Sequence, residues 1–526
     1  MAKGPKPKKG GQVVTRFAPS PTGFLHIGHV KAALLNDYYC RKYGGKLILR
    51  FDDTNPSKER GDYVDAITED LGSIGIVPDV ITHTSDYFDL FLDKCQELLV
   101  SGDAFVDDTP VQLMREVRGN REPSSRRSNS VEENLALWEE MKKGSTRGLE
   151  CCVRVKIDYA NQNGTLRDPV IYRCNLDEHN KTGSRYKVYP TYDFACPILD
   201  AHEGVTHALR ANEYRERNAQ YQWFLDHFNL RKVHIHDFGR LNFEYSVMSK
   251  RLLTQFVDKK IVDGWNDPRF PTVQGILRRG LTLQALRDFI LLQGSSDCLI
   301  TMEWDKIWAM NKSVLEPQAA RYNAVVDPVV VKLEGEGVPS VTEWRSVPLL
   351  QKNPEAGDKM VPYASEVLLA REDVVLMNVE DKVTLMGWGN AFVTNIEKDS
   401  EDVIKSVSMK LALDDRVFKG TLKVQWIAHV PDVVSFDISY YGYLVTTRKV
   451  DPDTPFEELA NRNSKKVVQM VGEPALKSVA KGSHLQLQRL GFFIVDQAFL
   501  VRSGLQLIYV PSGRGTLTIE DLFPTQ

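Results

Sequence analysis

No run of apolar residues in this chain is long enough to cross a bilayer, and its lysine-rich start lacks the apolar centre of a signal peptide. No membrane association is expected. Cysteine is scarce: there are 7, an odd count without a Cys-x-x-Cys spacing, which argues against a disulfide framework and against a structural zinc site. A reducing, cytoplasmic setting follows. Neither charge is in excess, with 67 basic against 70 acidic side chains. A nucleic-acid partner must therefore be met by local patches and not by a global field. No fixed-period repeat is present. What remains is an ordinary globular composition, 42% hydrophobic and 26% charged over 526 residues, enough chain for about three to five structural units. Residues 1–11, with Lys3, Lys6, Lys8 and Lys9 among Gly and Pro, cannot build a core and read as a basic disordered tail.

The most informative stretch is Arg16–His29, Arg-Phe-Ala-Pro-Ser-Pro-Thr-Gly-Phe-Leu-His-Ile-Gly-His. A strand over Gln12–Phe17 enters a turn broken by Pro and Gly. The turn opens onto a helical pattern from about Leu25 to Tyr43, and Gly44-Gly45 stops it before a second strand, Lys46–Phe51. A helix N-terminus carries free N–H groups and the positive end of its dipole, which suits phosphate. His26 and His29, three apart, fall on one face and add donors. A zinc site on this pair lacks a third and fourth ligand, since Cys40 lies at the far end of the helix. The unit reads as a nucleotide-phosphate cradle, with no zinc.

Far downstream lies Met248-Ser249-Lys250, a short polar-basic loop after an apolar stretch. Together with His-Ile-Gly-His it resembles the two signature motifs of the class I aminoacyl-tRNA synthetases. Arg16–Gly23, Arg50–Pro56 and Tyr189–Ala195 are similar to the glutamyl/glutaminyl branch, in its cytosolic eukaryotic and archaeal form. The resemblance runs from about Val13 to the C-terminal strands.

The fold implied is α/β. A Rossmann-like parallel-sheet catalytic domain is expected in two halves, 12–85 and 192–251, around an inserted acceptor-end-binding domain, 86–191. A helical stem, 252–325, and two antiparallel β-barrels for the anticodon, 326–526, complete it. The residues bear this pattern out as a reading: helical stretches at Tyr87–Leu99 and Val131–Lys143, strand-like Cys151–Ile157 and Val170–Cys174, helices with Arg278-Arg279 over 252–320, then short β-rich runs. Among those runs are Val383–Met386, Val407–Leu413, Thr421–Ile427, His484–Leu487 and Phe492–Val495.

The resemblance also implies the chemistry. ATP is a substrate, with Mg²⁺ carried on its phosphates. His26, His29 and the helix start are expected to neutralise one flank of the triphosphate, and Lys250 the other. Gly28 is expected to let adenosine pack on the helix backbone. Ser20, Pro21, Thr22, Arg240, Leu241, Met248 and Ser249 complete the expected ATP contacts. For the amino acid, Asp52 matches the α-ammonium position, and Arg16, Ala18, Ser20, Tyr192 and Arg210 the rest of the pocket.

Arg210 bears on which amino acid is held. A guanidinium has five donors and no acceptor, so it pairs with a carboxylate but meets a carboxamide NH₂ donor to donor. That implies L-glutamate and tRNA(Glu), joined through a glutamyl-adenylate and transfer to a ribose 2′-OH. A glutaminyl or non-discriminating enzyme is the alternative. Candidate tRNA contacts are Arg115, Arg118, Arg121, Arg126 and Arg127 in the insertion, and Trp388, Trp426, Arg489, Phe492 and Phe493 in the barrels, although for aromatics in a barrel core packing is the better reading. Relatives of this kind often carry an N-terminal docking domain, so a multi-synthetase or scaffold partner is also an expectation.

Overall fold

The computed structural model describes residues 12–298, 300–451 and 453–513; the basic tail, 1–11, lies outside them. The chain divides into two units, one of residues 1–242 and 290–301, the other of 243–289 and 302–526.

In the first unit three parallel strands, β1 (Val14–Phe17), β2 (Lys46–Phe51) and β3 (Val80–His83), pair in the order β1-β2-β3. Helices α1 (Ile27–Lys42) and α2 (Gly61–Ser73) make the crossovers. The open edge of β1 meets Thr206, whose N–H donates to the Val14 carbonyl at 2.9 Å and whose hydroxyl accepts from the Val14 N–H at 2.8 Å.

The sheet idea is resumed there after a long excursion. The excursion holds α3 (Phe88–Val100), β4 (Ala104–Asp107), α4 (Val111–Asn120), α5 (Val131–Lys143), α6 (Thr146–Leu149), β5 (Cys152–Val155), β6 (Val170–Cys174) and β7 (Val188–Pro190). Its four strands form an antiparallel sheet in sequence order. Phe88, Phe91, Trp138, Tyr172 and Phe194 fill its core. Helix α5 is bounded as its sequence requires: Ser130 and Glu133 form a reciprocal cap, and Gly144 ends it at φ 66°.

After the excursion come α7 (Tyr192–His202), β8 (His207–Ala211), α8 (Asn218–His227) and β9 (His234–Phe238), with β8 and β9 parallel. Laid beside β1, they give the spatial order β3, β2, β1, β8, β9. The chain reverses direction across the sheet between β1 and β8, and the crevice beyond the strand C-termini at such a reversal is where ligands sit.

The second unit has helices at Lys250–Asp258, Val273–Arg278 and Asp305–Leu315, and two seven-stranded sheets. The sheets are rich in antiparallel pairs, as expected, but not purely so. Pro328–Glu334 pairs in parallel with Ile404–Ala412, and Val434–Tyr441 with Gly504–Val510. Parallel neighbours need long crossovers. Short β-rich runs in a sequence do not reveal which of their neighbours they will pair with.

Candidate active site

Helix α1 starts later than the apolar pattern suggests, because His26 is its N-cap. The His26 Nδ1 accepts from the Gly28 N–H at 3.1 Å, and the His29 Nδ1 accepts from the His26 N–H at 3.3 Å. This is a capping box built from two imidazoles, whose rings stack at 3.8 Å. A Cβ on Gly28 would lie 3.0 Å from the His26 Cε1 and 3.1 Å from its Nδ1. A side chain at that position would crowd the His26 ring of the cap, which favours glycine there.

The cap also decides protonation. Burial, the neighbouring His29 and the Arg240 charge hold His26 well below the usual imidazole range. Burial and Arg240 lower His29 to about 4. Both rings are neutral near pH 7, and since each Nδ1 is an acceptor, each proton sits on Nε2. In the ligand-free protein both histidines are therefore neutral hydrogen-bond donors.

Charge comes from Arg240, which pairs with Glu213 at 3.2 Å. The segment before it is fixed from below by a residue that pattern reading missed. Lys31, one turn beyond the cap and buried, donates from Nζ to the Gly239 carbonyl at 2.7 Å. The Gly239 N–H donates to the Ser296 carbonyl, and a Cβ on Gly239 would stand 1.8 Å from the Cys298 carbonyl oxygen. The Leu241 carbonyl comes within 3.6 Å of where a Gly28 Cβ would be. Arg240-Leu241 is thus held against the start of α1.

The turn after β1 is pinned at two points. The Asp52 N–H donates to the Pro19 carbonyl at 2.9 Å and the Arg60 N–H to the Pro21 carbonyl at 3.1 Å. Ser20 is exposed; Ala18 and Thr22 are half-buried.

At the C-terminal end of β1 lies a buried charge cluster. Asp200, on α7, accepts from the Arg16 Nε at 3.0 Å, from Arg50 and from the Tyr221 hydroxyl at 2.8 Å. Arg50 also pairs with Glu203 at 2.8 Å. Despite burial, the two guanidinium groups hold the Asp200 carboxyl far below the carboxylate range. Arg16 further donates to the Leu209 carbonyl and the Cys196 Sγ. Three of its N–H bonds are thereby used, leaving one on each terminal nitrogen, the pair that suits a bidentate acceptor.

Arg210 is different. Its side chain is 4% exposed, stacked 5.2 Å from both the Tyr214 and Tyr221 rings. It donates to Asn218 at 3.1 Å, and its Nε is buried without a partner. Among the described residues no carboxylate pairs with it. Tyr192 joins this group: burial, then the Cys196 thiol, raise its hydroxyl, against the pull of Arg16 and Arg210. Asp52, at the end of β2, is pushed up to about 7 by burial, which outweighs the Arg50 charge. Arg16, Tyr192 and Arg210 are therefore brought together.

Profile comparison bears on the same residues. The catalytic domain of "tRNA synthetases class I (E and Q)" matches residues 12–317, and two anticodon-binding domains of that class match 319–412 and 423–496. The chain belongs to the class I E and Q tRNA synthetases. It is 47% identical over 509 residues to the cytoplasmic glutamate–tRNA ligase of Saccharomyces cerevisiae, spanning 96% of this chain and 71% of that protein. Against the cytoplasmic glutamate–tRNA ligase of Arabidopsis thaliana the identity is 44%, over 96% of this chain and 70% of that one. Against the bifunctional glutamate/proline–tRNA ligase of Mus musculus it is 45%, over 96% of this chain but 34% of that protein.

In the synthetase's second unit, Met248-Ser249 leads into the helix at Lys250, and Ser249 gives no side-chain cap. The helix opens with Lys250-Arg251 and has no acidic residue in its first turn. Two cations at the positive end of a helix dipole weaken it locally.

Most candidate tRNA contacts are already engaged within the synthetase. Arg118 donates to the carbonyls of Arg167 and Gly164, Arg126 pairs with Asp108 at 2.6 Å, and Arg127 with Asp168 at 2.7 Å. Arg115 is exposed. Trp426 is 2% exposed and donates to the Met386 carbonyl. Trp388 packs beside it, and Phe492 and Phe493 are buried. Trp426, Phe492 and Phe493 are buried in the sheets and offer no face for a base, whereas Trp388 is half-buried. Arg489 is held by Asp373 at 2.6 and 2.9 Å. Among the described residues of the second unit the exposed aromatics are Trp344, Phe392 and Phe418, which sequence patterning did not single out.

Proposed function

We infer that this chain is a glutamate–tRNA ligase. An oxygen of the L-glutamate α-carboxylate attacks the ATP α-phosphorus and pyrophosphate leaves, giving glutamyl-adenylate. The 2′-OH of the terminal adenosine of tRNA(Glu) then attacks the acyl carbon, and AMP leaves. The observation that carries the amino-acid choice is Arg210, a buried guanidinium with an unpartnered Nε and no ion pair among the described residues. A substrate side-chain carboxylate completes it; a carboxamide would turn donors against donors and leave buried groups unpaired, at about 1–3 kcal/mol each. The names of the relatives support the same reading.

Arg16 shares the side-chain carboxylate with Arg210, with Asp200 fixing its orientation. Tyr192 closes the pocket wall. Asp52 receives the α-ammonium, whose charge restores the ionised carboxylate that burial opposes. The Nε2–H groups of His26 and His29 donate to phosphate oxygens, and Arg240 adds charge beside them. Lys250 is assigned to the leaving pyrophosphate, where charge builds up in the transition state. Mg²⁺ travels on the ATP phosphates and supplies further neutralisation; among the described residues no three His, Cys, Asp or Glu side chains are grouped to hold a metal ion. Arg115 and the exposed Trp344, Phe392 and Phe418 are the side chains proposed to meet tRNA, by charge and by stacking. The cytoplasm is the proposed setting, after the relatives' names.

The experiment that tests this is charging of total tRNA with labelled glutamate against labelled glutamine. Glutamate alone should be incorporated, into tRNA(Glu). Equal charging of both amino acids would move the assignment to the non-discriminating alternative.

A further inference from the structure

The Arg278-Arg279 pair belongs to none of the chemistry above. Arg278 is accounted for, with Nε and one terminal nitrogen each 2.7 Å from an Asp496 oxygen. Arg279 is not. It follows the helix Val273–Arg278, is 8% exposed, and lies 5.7 Å from the Trp308 ring. One terminal nitrogen donates to the Tyr441 carbonyl at 2.6 Å, and Nε is buried without a partner.

The carboxylate nearest in influence, Asp267, is spent on Arg269. Its oxygens accept from the Arg269 Nε and Nη2, both at 2.8 Å, and from the backbone N–H groups of Arg269 and Asp263. Two buried guanidinium groups thus share one carboxylate, and among the described residues Arg279 has no ion pair. Burial brings its pKa down to about 10, so it stays charged at neutral pH. A buried charge without a counter-charge is costly.

Beside these groups is a cavity of about 20 Å³, counted as the space open to the centre of a water molecule. Arg279, Arg269, Tyr245, Ser246, Trp304 and Trp308 are among its walls. Tyr245 stacks on Tyr443 at 4.7 Å, and the Ser246 hydroxyl accepts from the Trp304 Nε1–H at 2.8 Å. The space admits one occupant of about water size. A phosphate or an organic carboxylate is too large.

We propose that this cavity is a binding site for a monovalent anion of halide size, held by the Arg279 guanidinium among aromatic walls. The chemistry that selects it is one surplus positive charge in a space that admits a single small ion. Neutral water fits the volume but leaves the charge unmet. The site is built partly from Tyr245 and Ser246, the residues that lead into Met248-Ser249-Lys250, so occupancy stiffens the base of that loop.

The whole protein is tested in sodium chloride, bromide and gluconate at matched ionic strength. Chloride and bromide should each raise Tm over gluconate by about 2 °C or more, saturating with concentration as a single site does. Crystals grown in bromide should show an anomalous peak at the Arg279 guanidinium. Arg279→Met should abolish the difference between salts. The bromide peak and salt series on the unaltered protein decide the matter even if that variant does not fold. Equal Tm in all three salts, or a water or a carboxylate of the chain's own C-terminal segment at Arg279, overturns the proposal.

Discussion

Arg16 and Arg210 lie close together around Tyr192, yet disturbing the surroundings of one and replacing the other should have opposite effects on stability. Arg16 is paired: removing Asp200, its partner, by Asp200→Asn strands two buried guanidinium groups, of which only Arg50 keeps a second acid, Glu203. Breaking a buried pair in this way costs about 3–5 kcal/mol. Arg210 is charged and buried but lacks an ion pair among the described residues, with one hydrogen bond to Asn218. Arg210→Met keeps much of the volume between Tyr214 and Tyr221 and removes an unmet charge. The substrate-free protein should therefore melt no lower than the parent. Glutamate, in contrast, loses a charge-assisted contact. At about 2–4 kcal/mol, kcat/KM for glutamate should fall by a factor of about 30 to 1,000. The preference over glutamine should narrow with it but not vanish, because Arg16 remains.

The assay is kcat/KM for both amino acids in pyrophosphate exchange, with a melting curve in the absence of substrate. A fall of several degrees in Tm with an unchanged glutamate-to-glutamine ratio would refute the reasoning and make Arg210 a brace. The neighbouring acid that would have made it one, Glu213, is paired with Arg240 instead.

Asp52 sets the pH dependence of glutamate capture. Its carboxyl sits at about 7 in the free protein, and an ammonium binds the ionised form. The Kd for glutamate should be level above about pH 7 and climb toward tenfold per unit below it; a flat calorimetric profile would take Asp52 out of the ammonium site. Lys250→Ala should slow single-turnover adenylate formation by a factor of several hundred, about 3–4 kcal/mol, with the glutamate Kd unchanged. Near-normal activation in that variant would remove Lys250 from the mechanism. Lys31→Met deletes a buried hydrogen bond from an ammonium to the Gly239 carbonyl, worth about 1.5–3 kcal/mol. KM for ATP should rise at least tenfold while glutamate binding holds; equal losses for both substrates would mark Lys31 as merely structural.

Local chemistry was legible in the sequence and long-range pairing was not. Strand β2 ends where the Gly44-Gly45 stop and the run to Phe51 put it. The start of α1 was readable because His26, the first helical residue and His29 lie within four residues. Asp200 was missed: its partner Arg16 is 184 positions away. A signal did exist, since Tyr192, Cys196 and Asp200 recur every four residues and so share one face of α7. Lys31 was missed for the opposite reason, because a lysine inside a helix ordinarily belongs to the solvated face. For the barrel aromatics core packing was the better reading, and Trp426, Phe492 and Phe493 are buried, but an apolar ring in a strand looks the same whether it packs or recognises. Only exposure separates Trp426 from Trp344.

The cap formed by His26 and His29 divides the labour at the phosphate end of the site. A protonated histidine there would lose its Nδ1 acceptor, and with it the hydrogen bond that starts the helix. Holding both rings neutral keeps the cap intact and the Nε2–H donors fixed in direction before any ligand arrives. Positive charge then has to come from side chains whose protonation is not in play, and arginine and lysine meet that requirement. Burial above all, with the Arg240 charge adding to it, depresses both histidines and so keeps the neutrality on which their geometry depends. The tautomers themselves are set by the hydrogen bonds that each Nδ1 accepts. Preorganised donors of this kind need no rearrangement when negative charge moves toward the leaving group.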